Sequence, residues 1–185
     1  MQKFSNLIVL SPLIYLVHHF EEHIIFNFKE WRLSYFLDNN PLSSEEMLIR
    51  LAAFLLIIIF VHQIKQNRAS ALLVLYFVMT TQVVNAIFHV FFSFYFADFS
   101  PGAITGVLLY LPVNYLIYKA AMNESYIKNN LEILILFILG ATTFALFEAF
   151  GPTVTAVSIL LYPVFYFLLK AKKAWLIMKL NAFLV

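Results

Sequence analysis

The chain has no cysteine and few charged residues, and these two absences already narrow its class. Without cysteine it can form neither a disulfide nor a thiolate–metal bond, and the redox compartment stays open. Charged residues make up 12% of the 185 positions and hydrophobic residues 63%; a soluble domain has about 25% charged residues. The net charge of +2 comes without a soluble basic run, which excludes nucleic acid as a partner. The composition predicts a single-domain polytopic membrane protein covering residues 1–185.

Long apolar runs predict an all-α transmembrane bundle. A helix needs about 20 apolar residues to cross a bilayer, and it satisfies its own backbone hydrogen bonds there. Pro12, Pro112 and Pro163 lie inside apolar runs, where we expect kinks, whereas Pro101 and Pro152 suit the first turn of a helix. Six spans are predicted, at roughly residues 5–27, 47–64, 69–96, 101–121, 131–150 and 152–170.

Lysine and arginine fall mostly on one side of this topology, together with both termini. The positive-inside rule therefore predicts cytoplasmic termini in the cytoplasmic membrane, with membrane lipid as the surrounding partner. The residues on the predicted cytoplasmic side are Lys3, Lys65, Arg68, Lys119, Lys128, Lys170, Lys172, Lys173 and Lys179, and those on the other are Lys29, Arg32 and Arg50. The first span follows Lys3 without a small-residue cleavage site, which favours an uncleaved span over a signal peptide.

Two further stretches of the sequence predict local structure: a short interfacial helix and a close helix crossing. Aromatic and charged residues alternate between Asn27 and Glu46, a pattern typical of a short helix on the membrane interface, although a lid would show it too. Gly102-x-x-x-Gly106 is a small-xxx-small pattern, which predicts close packing of the fourth span against a neighbour.

Five ionisable side chains interrupt the first apolar run: His18, His19, Glu21, Glu22 and His23. Each charge near a bilayer centre costs roughly 2.5–3.5 kcal/mol on insertion scales, so such groups face one another, water or a metal. At about 100° per residue the five cover about 200°, so they cannot all meet at one site. The best-grouped set is His18 and Glu22 with either Glu21 or His19.

The spacing His18-x-x-Glu21-Glu22 resembles the signature of a family of small bacterial integral membrane proteins named after an HXXEE motif. The resemblance rests on these five positions and on a polyhelical setting over most of the chain. It implies a membrane protein with a functional His/Glu cluster, in the inner membrane of a bacterium, and it implies no particular activity.

Other spans bring polar side chains to the same depth, in the predicted outer half of the bundle. His62, by contrast, is expected at the cytoplasmic interface. The outer polar residues are Gln82, Asn85 and His89 within about 60° of one face of the third span, Thr105 on the fourth and Glu148 near the end of the fifth. We therefore expect His18, Glu22 and His89 to lie close together.

Imidazole and carboxylate ligands without sulfur suit a divalent transition metal: zinc, iron or manganese. The predicted metal ligands are His18, Glu22, His89 and Glu148, with Glu21 as a further candidate. The predicted catalytic carboxylates are Glu21 and Glu22. The side chains predicted to contact substrate or to support the ligands are Asn85, His19, His23, Gln82 and Thr105. This set predicts a metal-dependent enzyme that acts on a lipid or another apolar small molecule.

Two other classes of function stay open. Six spans in 185 residues resemble the size of the substrate-binding subunits of bacterial vitamin and metal importers, although the first span lacks their Ala-x-x-x-Ala pattern. A protein of that kind would bind a metal ion or a vitamin. The cluster could also be a purely structural polar network between helices.

A metal-free alternative also stays open, in which a glutamate desolvated in a membrane cavity activates water and His89 stabilises the developing negative charge. A second motif belongs to this alternative, because Glu45-Glu46-x-x-x-Arg50 resembles the EExxxR motif of intramembrane glutamate proteases. The sequence departs from that family because Asn85 replaces a Phe four residues before His89, and no histidine follows. Helix capping by Ser43 or Ser44 explains the acidic pair more simply.

Overall fold

The computed structural model describes residues 2–154, and the regular elements in that range are helices without any strand. In chain order they are α1 Phe4–Leu7, α2 Leu10–Phe20, α3 Phe28–Tyr35, α4 Ser44–Lys65, α5 Arg68–Tyr95, α6 Ala103–Asn123 and α7 Asn130–Phe150. Helices α4 to α7 are each long and apolar enough to cross a membrane. The predicted all-α membrane class is confirmed.

The number of spanning helices is four among the described residues, fewer than the six predicted. The predicted segment 152–170 lies almost entirely outside the described residues, as does Pro163. The predicted segment 5–27 is not one continuous helix, because α1 ends at Leu7 and α2 begins only at Leu10. Pro12 explains the break: it has no N–H to donate to the carbonyl of Ile8, which accepts from the Ser11 N–H at 3.1 Å instead.

Three π-helical turns interrupt the helices around the polar residues. They cover Glu21–Ile25 at the end of α2, Met79–Val84 within α5 and Gly106–Tyr110 within α6. Each wide turn changes which side chains face the neighbouring helix, and such turns are frequent at functional sites. The turn in α6 directly precedes Pro112, whose missing N–H leaves an α-helical bond unmade.

Tight packing holds the bundle together away from the polar residues. The side chains of Phe4, Leu55, Leu75, Ile117 and Leu136 are at most 1% exposed and bring α1, α4, α5, α6 and α7 into one core. In a bilayer such contacts act through van der Waals packing, since lipid is as apolar as the side chains.

The small-residue pattern in α6 allows a close helix crossing at its second glycine. A methyl group added at Gly106 would lie 3.2 Å from Cα of Ala86 on α5. The packing predicted for this glycine is therefore observed. Gly102 has a different environment, described with the site below.

His62, predicted at the cytoplasmic interface, lies in the last turn of α4. It is fully buried between the rings of Phe4 and Tyr126, at centroid distances of 5.0 and 5.3 Å. Its Nδ1 lies 2.9 Å from the Ser70 hydroxyl of the neighbouring helix, whereas its Nε2 is buried without a hydrogen-bond partner.

Helix α3 accounts for the polar stretch after the first span. Asn27 caps it by accepting from the Glu30 N–H, and Trp31 is buried. Tyr35 stacks on Phe96 at a centroid distance of 3.9 Å and donates a 2.8 Å hydrogen bond to Asp98. That bond raises the pKa of the Tyr35 phenol. The predicted short helix is therefore present, and it is fastened to the end of α5.

The start of α4 confirms the capping explanation of the acidic pair. Ser43 accepts from the Glu46 N–H while the Glu46 carboxylate accepts from the Ser43 N–H, which is a capping box. Arg50 lies 3.8 Å from Glu46 in an exposed ion pair. These residues therefore have a structural explanation and need no protease-like role.

Candidate metal centre

Three side chains from two distant segments meet at one point. His18 near the end of α2 and Glu22 one turn later lie on the same helix face, and His89 reaches them from α5. Nε2 of His18 is 3.3 Å from Glu22 Oε1, and Nε2 of His89 is 2.9 Å from the same oxygen. The three residues are 1%, 7% and 0% exposed. The expected convergence of His18, Glu22 and His89 is thus observed.

The contacts between these atoms are close but are not hydrogen bonds. Nε2 of His18 and Nε2 of His89 are both buried and have no hydrogen-bond partner, although the Glu22 carboxylate lies within 3.3 Å of each. The distances are short, but the directions are wrong for an N–H to point at the oxygen. Buried polar atoms without a partner call for an explanation, such as a water molecule or an ion. Nε2 of His62, away from this cluster, is also without a partner, so the convergence of two such nitrogens on one carboxylate is what distinguishes the site.

The other nitrogen of each imidazole is held by a hydroxyl. Nδ1 of His18 is 2.7 Å from Thr105 Oγ1 on α6, and Nδ1 of His89 is 2.9 Å from Ser100 Oγ in the α5–α6 loop. A hydrogen bond from Nδ1–H to an oxygen leaves Nε2 as the lone-pair donor, which is how metal-binding histidines are commonly oriented. Both rings are therefore set with their free nitrogens toward Glu22.

The distances from Glu22 Oε1 to the two imidazole nitrogens also fit a metal ion. Two ligands at about 2.0–2.1 Å from zinc, in tetrahedral geometry, are about 3.3 Å apart. The observed separations of 3.3 and 2.9 Å from Glu22 Oε1 are close to that value. Two imidazoles and one carboxylate form the donor set of several catalytic zinc sites, which keep a fourth position open. These residues could hold a metal ion.

Gly102 lets the backbone approach this cluster. A methyl group added there would lie 2.9 Å from His18 Cε1 and 3.0 Å from both Glu22 Cγ and His89 Cε1. The residue also has φ +98°, a left-handed conformation that favours glycine. No other residue type fits this position without displacing the ring atoms.

Glu21 has a different role from the predicted one. Its carboxylate accepts from the backbone N–H groups of Gly102, Ile104 and Thr105 at 3.1, 3.1 and 2.7 Å, at the start of α6. The partial positive charge of a helix N-terminus favours this contact. Because both oxygens are engaged, Glu21 fastens α2 to α6 and does not join the candidate ligands, contrary to the prediction of a ligand or a catalytic carboxylate.

Glu148 also lies apart from the candidate ligands. Its Oε2 forms an ion pair with Nε of Arg32 on α3 at 3.0 Å, and its backbone carbonyl accepts from the Asn39 amide. Arg32 reaches Asn39 as well, at 3.0 Å. Glu148, predicted as a metal ligand, is thus paired with a guanidinium, and the pair fastens the α3 segment to α7.

A cavity of about 180 Å³ borders the cluster. His18 and Glu22 reach it from the cluster side, and apolar walls come from Leu51, Phe144 and Phe147. Asn85, predicted to contact substrate, lines the cavity, and its Oδ1 is buried without a hydrogen-bond partner. It is therefore positioned as an acceptor for a group in the cavity.

Gln82 is absent from the residues that line the cavity and belongs to another network. Its Nε2 donates to the Ser11 carbonyl at 3.0 Å, and its Oε1 accepts from the Asn114 amide at 2.8 Å. These contacts join α2, α5 and α6 in the bundle interior. Gln82 therefore links helices, contrary to the predicted role beside the ligands.

Three small residues contact histidines of the site although little in the sequence indicated it: Ser100, Ser44 and Gly102. The Ser100-Pro101-Gly102 stretch has the composition of an ordinary turn, and Ser44 stands beside the capping residue Ser43. In the structure the Ser100 hydroxyl holds His89, and the Ser44 hydroxyl holds His23 Nδ1 at 3.1 Å. The only signal was the proximity of small polar residues to helix ends near the site.

Comparison with known proteins identifies the family of the chain. No curated protein and no solved structure significantly matches the chain. Residues 9–117 match the model of the family described as proteins of unknown function with an HXXEE motif, and this range holds His18, Glu22 and His89. It includes the motif that suggested the resemblance and covers more than half of the chain. The chain therefore belongs to the HXXEE-motif family of proteins.

Proposed function

We propose that this protein is an integral membrane metalloenzyme in which His18, Glu22 and His89 bind one divalent transition metal ion. Its substrate is a lipid or another largely apolar small molecule that enters the adjacent cavity. One observation carries the proposal: two buried imidazole nitrogens converge on one carboxylate without hydrogen-bond geometry, and a hydroxyl holds the opposite nitrogen of each ring.

The burial of Glu22 supports a bound cation. Among the described residues, its ion-pair contacts are with histidines: His18, His89 and, at 3.7 Å, His23. No lysine or arginine of the described chain is paired with it, and burial disfavours the charged imidazolium form. An uncompensated buried carboxylate is costly. A dication offsets this charge while leaving the imidazoles neutral, as metal ligands must be.

The chemistry follows from the donor set and the cavity. A metal ion in a site of this kind lowers the pKa of a bound water or polarises a carbonyl or phosphoryl oxygen. Asn85 accepts a hydrogen bond from the substrate through its free Oδ1. The apolar walls of Leu51, Phe144 and Phe147 hold the hydrocarbon part of the substrate and exclude water.

The size of the cavity limits what reacts there. An apolar cavity of about 150 Å³ holds a molecule as large as benzene, and the volume of about 180 Å³ found here is only slightly larger. A complete phospholipid does not fit, so the reacting group occupies the cavity while the remaining chain stays in the bilayer.

The placement in the membrane follows from the lysine and arginine distribution. Both termini lie in the cytoplasm, and the metal site is in the outer half of the cytoplasmic membrane. A reporter fused after α4, beside Lys65, will read as cytoplasmic, and one inserted in the α2–α4 connection near Asn40 will read as external. The opposite pattern would place the site on the cytoplasmic side.

Elemental analysis tests the metal. Protein purified without a chelator or a metal-affinity tag will contain metal in stoichiometric amount, and His18→Ala, Glu22→Gln and His89→Ala will each lose it. His62→Ala, a buried histidine outside the cluster, is the matched control and will keep the metal. Affinity will fall as the pH is lowered, because protons compete with the metal for the ligand nitrogens. Metal-free wild-type protein that zinc, iron and manganese all fail to stabilise against heat would overturn the proposal.

Turnover distinguishes an enzyme from a binding protein. Metal-loaded protein will be incubated with vesicles of bacterial phospholipid and with a panel of smaller acyl and phosphoryl esters, and the products will be followed by mass spectrometry. The proposal expects a product that Glu22→Gln does not form. Metal binding without any product would favour the metal-importing alternative.

A further inference from the structure

We propose that a second metal ion binds between His19, His23 and Glu22, so that the Glu22 carboxylate bridges two ions. This inference rests on the proposed function, because the first ion is the one held by His18, Glu22 and His89. Nitrogen atoms of His19 and His23 and a carboxylate oxygen of Glu22 all lie within 4.8 Å of one another. They form a second ligand group that shares one residue with the first.

The spacing of the motif places two ligand pairs side by side. His18 and Glu22 are four residues apart and share one face of the helix, and His19 and His23 repeat that spacing one residue later. The second pair is therefore rotated by about 100° from the first. Glu22 directly precedes His23, so its carboxylate can serve both pairs.

The two oxygens of Glu22 face different histidines. Oε1 is close to His18 and His89, at 3.3 and 2.9 Å, whereas Oε2 lies 3.7 Å from His23 Nε2. A carboxylate that offers one oxygen to each of two ligand groups has the arrangement of a bridging ligand. The ring centroids of His19 and His23 are 4.4 Å apart, so both rings border the same space.

His23 is oriented like the histidines of the first site. Its Nδ1 lies 3.1 Å from the Ser44 hydroxyl, which leaves Nε2 toward Glu22. Thr105 and Ser100 hold His18 and His89 in the same way. Three imidazoles around one carboxylate thus have a hydroxyl beside Nδ1. When the ring donates Nδ1–H to that hydroxyl, Nε2 carries the lone pair that binds a metal.

The second group is closer to the cavity than the first. His19, His23 and Glu22 all line the cavity, whereas His89 is fully buried and absent from the lining. His23 is only partly buried. An ion at the second site is therefore in contact with the cavity contents and exchanges more readily than the first.

The charge balance then indicates the substrate class. Two dications next to the single Glu22 carboxylate leave an excess of positive charge. Glu21 does not offset it, because its carboxylate accepts hydrogen bonds from the α6 backbone amides. A buried excess of charge is costly. Glu45 lies close enough to act electrostatically on His19 and His23, but it is exposed, and Glu148 is already paired with Arg32. An anionic oxygen from a carboxylate or a phosphate group of the substrate in the cavity would offset the remaining positive charge.

A zinc titration tests the second site. Tag-free protein stripped of metal is titrated with zinc by calorimetry, followed by gel filtration and elemental analysis. We expect two zinc ions per chain, the second at least tenfold weaker than the first. His19→Gln and His23→Gln will each bind one zinc, and His62→Gln will bind two as the matched histidine control. Inorganic phosphate at constant zinc activity will tighten only the weaker event.

The outcomes separate this inference from the proposed function. One zinc in the wild type, unchanged in His19→Gln and His23→Gln, overturns the second site and leaves the single-metal proposal standing. No zinc in the wild type overturns both. A variant that elutes as an aggregate is replaced by the corresponding asparagine substitution, and two zinc ions retained in both folded variants also overturn the second site.

Discussion

Nε2 of His89 lies 2.9 Å from Oε1 of Glu22, and the two residues belong to different helices. Each residue owes its position to an irregular turn in its own helix. Glu22 is placed by the π-helical turn that ends α2, and His89 faces inward from the part of α5 that follows the Met79–Val84 turn. The contact thus depends on two irregular turns, and this agrees with the frequent occurrence of π-helical turns at functional sites.

Gly102→Ala is expected to displace the cluster. The added methyl group would meet ring or chain atoms of His18, Glu22 and His89 at 2.9 to 3.0 Å, and the left-handed φ adds about 1–2 kcal/mol of backbone strain. We expect a lower melting temperature together with a loss of metal affinity of at least tenfold. Gly106→Ala is the contrast: it meets Ala86 and should lower stability while metal stays bound. Normal metal binding by Gly102→Ala would contradict the close contact between the Gly102 backbone and the three candidate ligands.

Removing the hydroxyls that hold the rings is expected to weaken metal binding without abolishing the fold. Thr105→Val and Ser100→Ala take away the partners of His18 Nδ1 and His89 Nδ1. Loss of such contacts typically costs 10–100-fold in metal affinity, which competition with a zinc chelator will measure. Thr81→Val is the matched control, because that hydroxyl bonds to the Phe77 carbonyl of its own helix. Equal metal affinities in all three variants would mean that the Thr105 and Ser100 hydroxyls do not help the histidines to bind metal.

The two adjacent glutamates are expected to behave differently when changed to glutamine. Glu21→Gln weakens charge-assisted bonds to three backbone amides, each worth about 1.5–3 kcal/mol at most. It will lower the melting temperature and keep the metal. Glu22→Gln will lose the metal. Thermal unfolding and elemental analysis on both variants distinguish the roles, and a metal-free, fully stable Glu21→Gln protein would reverse the assignment.

The ion pair between Arg32 and Glu148 is expected to hold the α3 segment over the cavity. The two side chains are 12% and 18% exposed, so removing one partner leaves the other desolvated and destabilises the fold by about 1–3 kcal/mol. A double-mutant cycle of Arg32→Gln, Glu148→Gln and the double variant, followed by thermal or denaturant unfolding, measures the coupling free energy between the two side chains.

A second ion pair serves as the control for that cycle. Glu46 and Arg50 are 51% and 62% exposed, and such pairs contribute less than about 1 kcal/mol. Coupling at Arg32–Glu148 no larger than at Glu46–Arg50 would mean that the segment is held by its aromatic contacts instead.

The sequence by itself determined the class of the protein and the first half of the site. The scarcity of charge and the apolar runs require helices that satisfy their own backbone in lipid. The four-residue spacing of His18 and Glu22 already places them on one helix face. The capping of α4 by Ser43 and Glu46 also follows from local spacing, since all its partners lie within one turn.

The tertiary structure decided which polar groups complete the site. Glu21 and Glu22 are chemically identical neighbours. They have different contacts because α6 brings its backbone amides to Glu21, whereas His89 of α5 lies beside Glu22. Glu148 lines the same cavity but forms an ion pair with Arg32, which α3 places beside it. A carboxylate takes the nearest donor or cation, and that neighbour is fixed by how the helices pack, not by the order of residues along the chain.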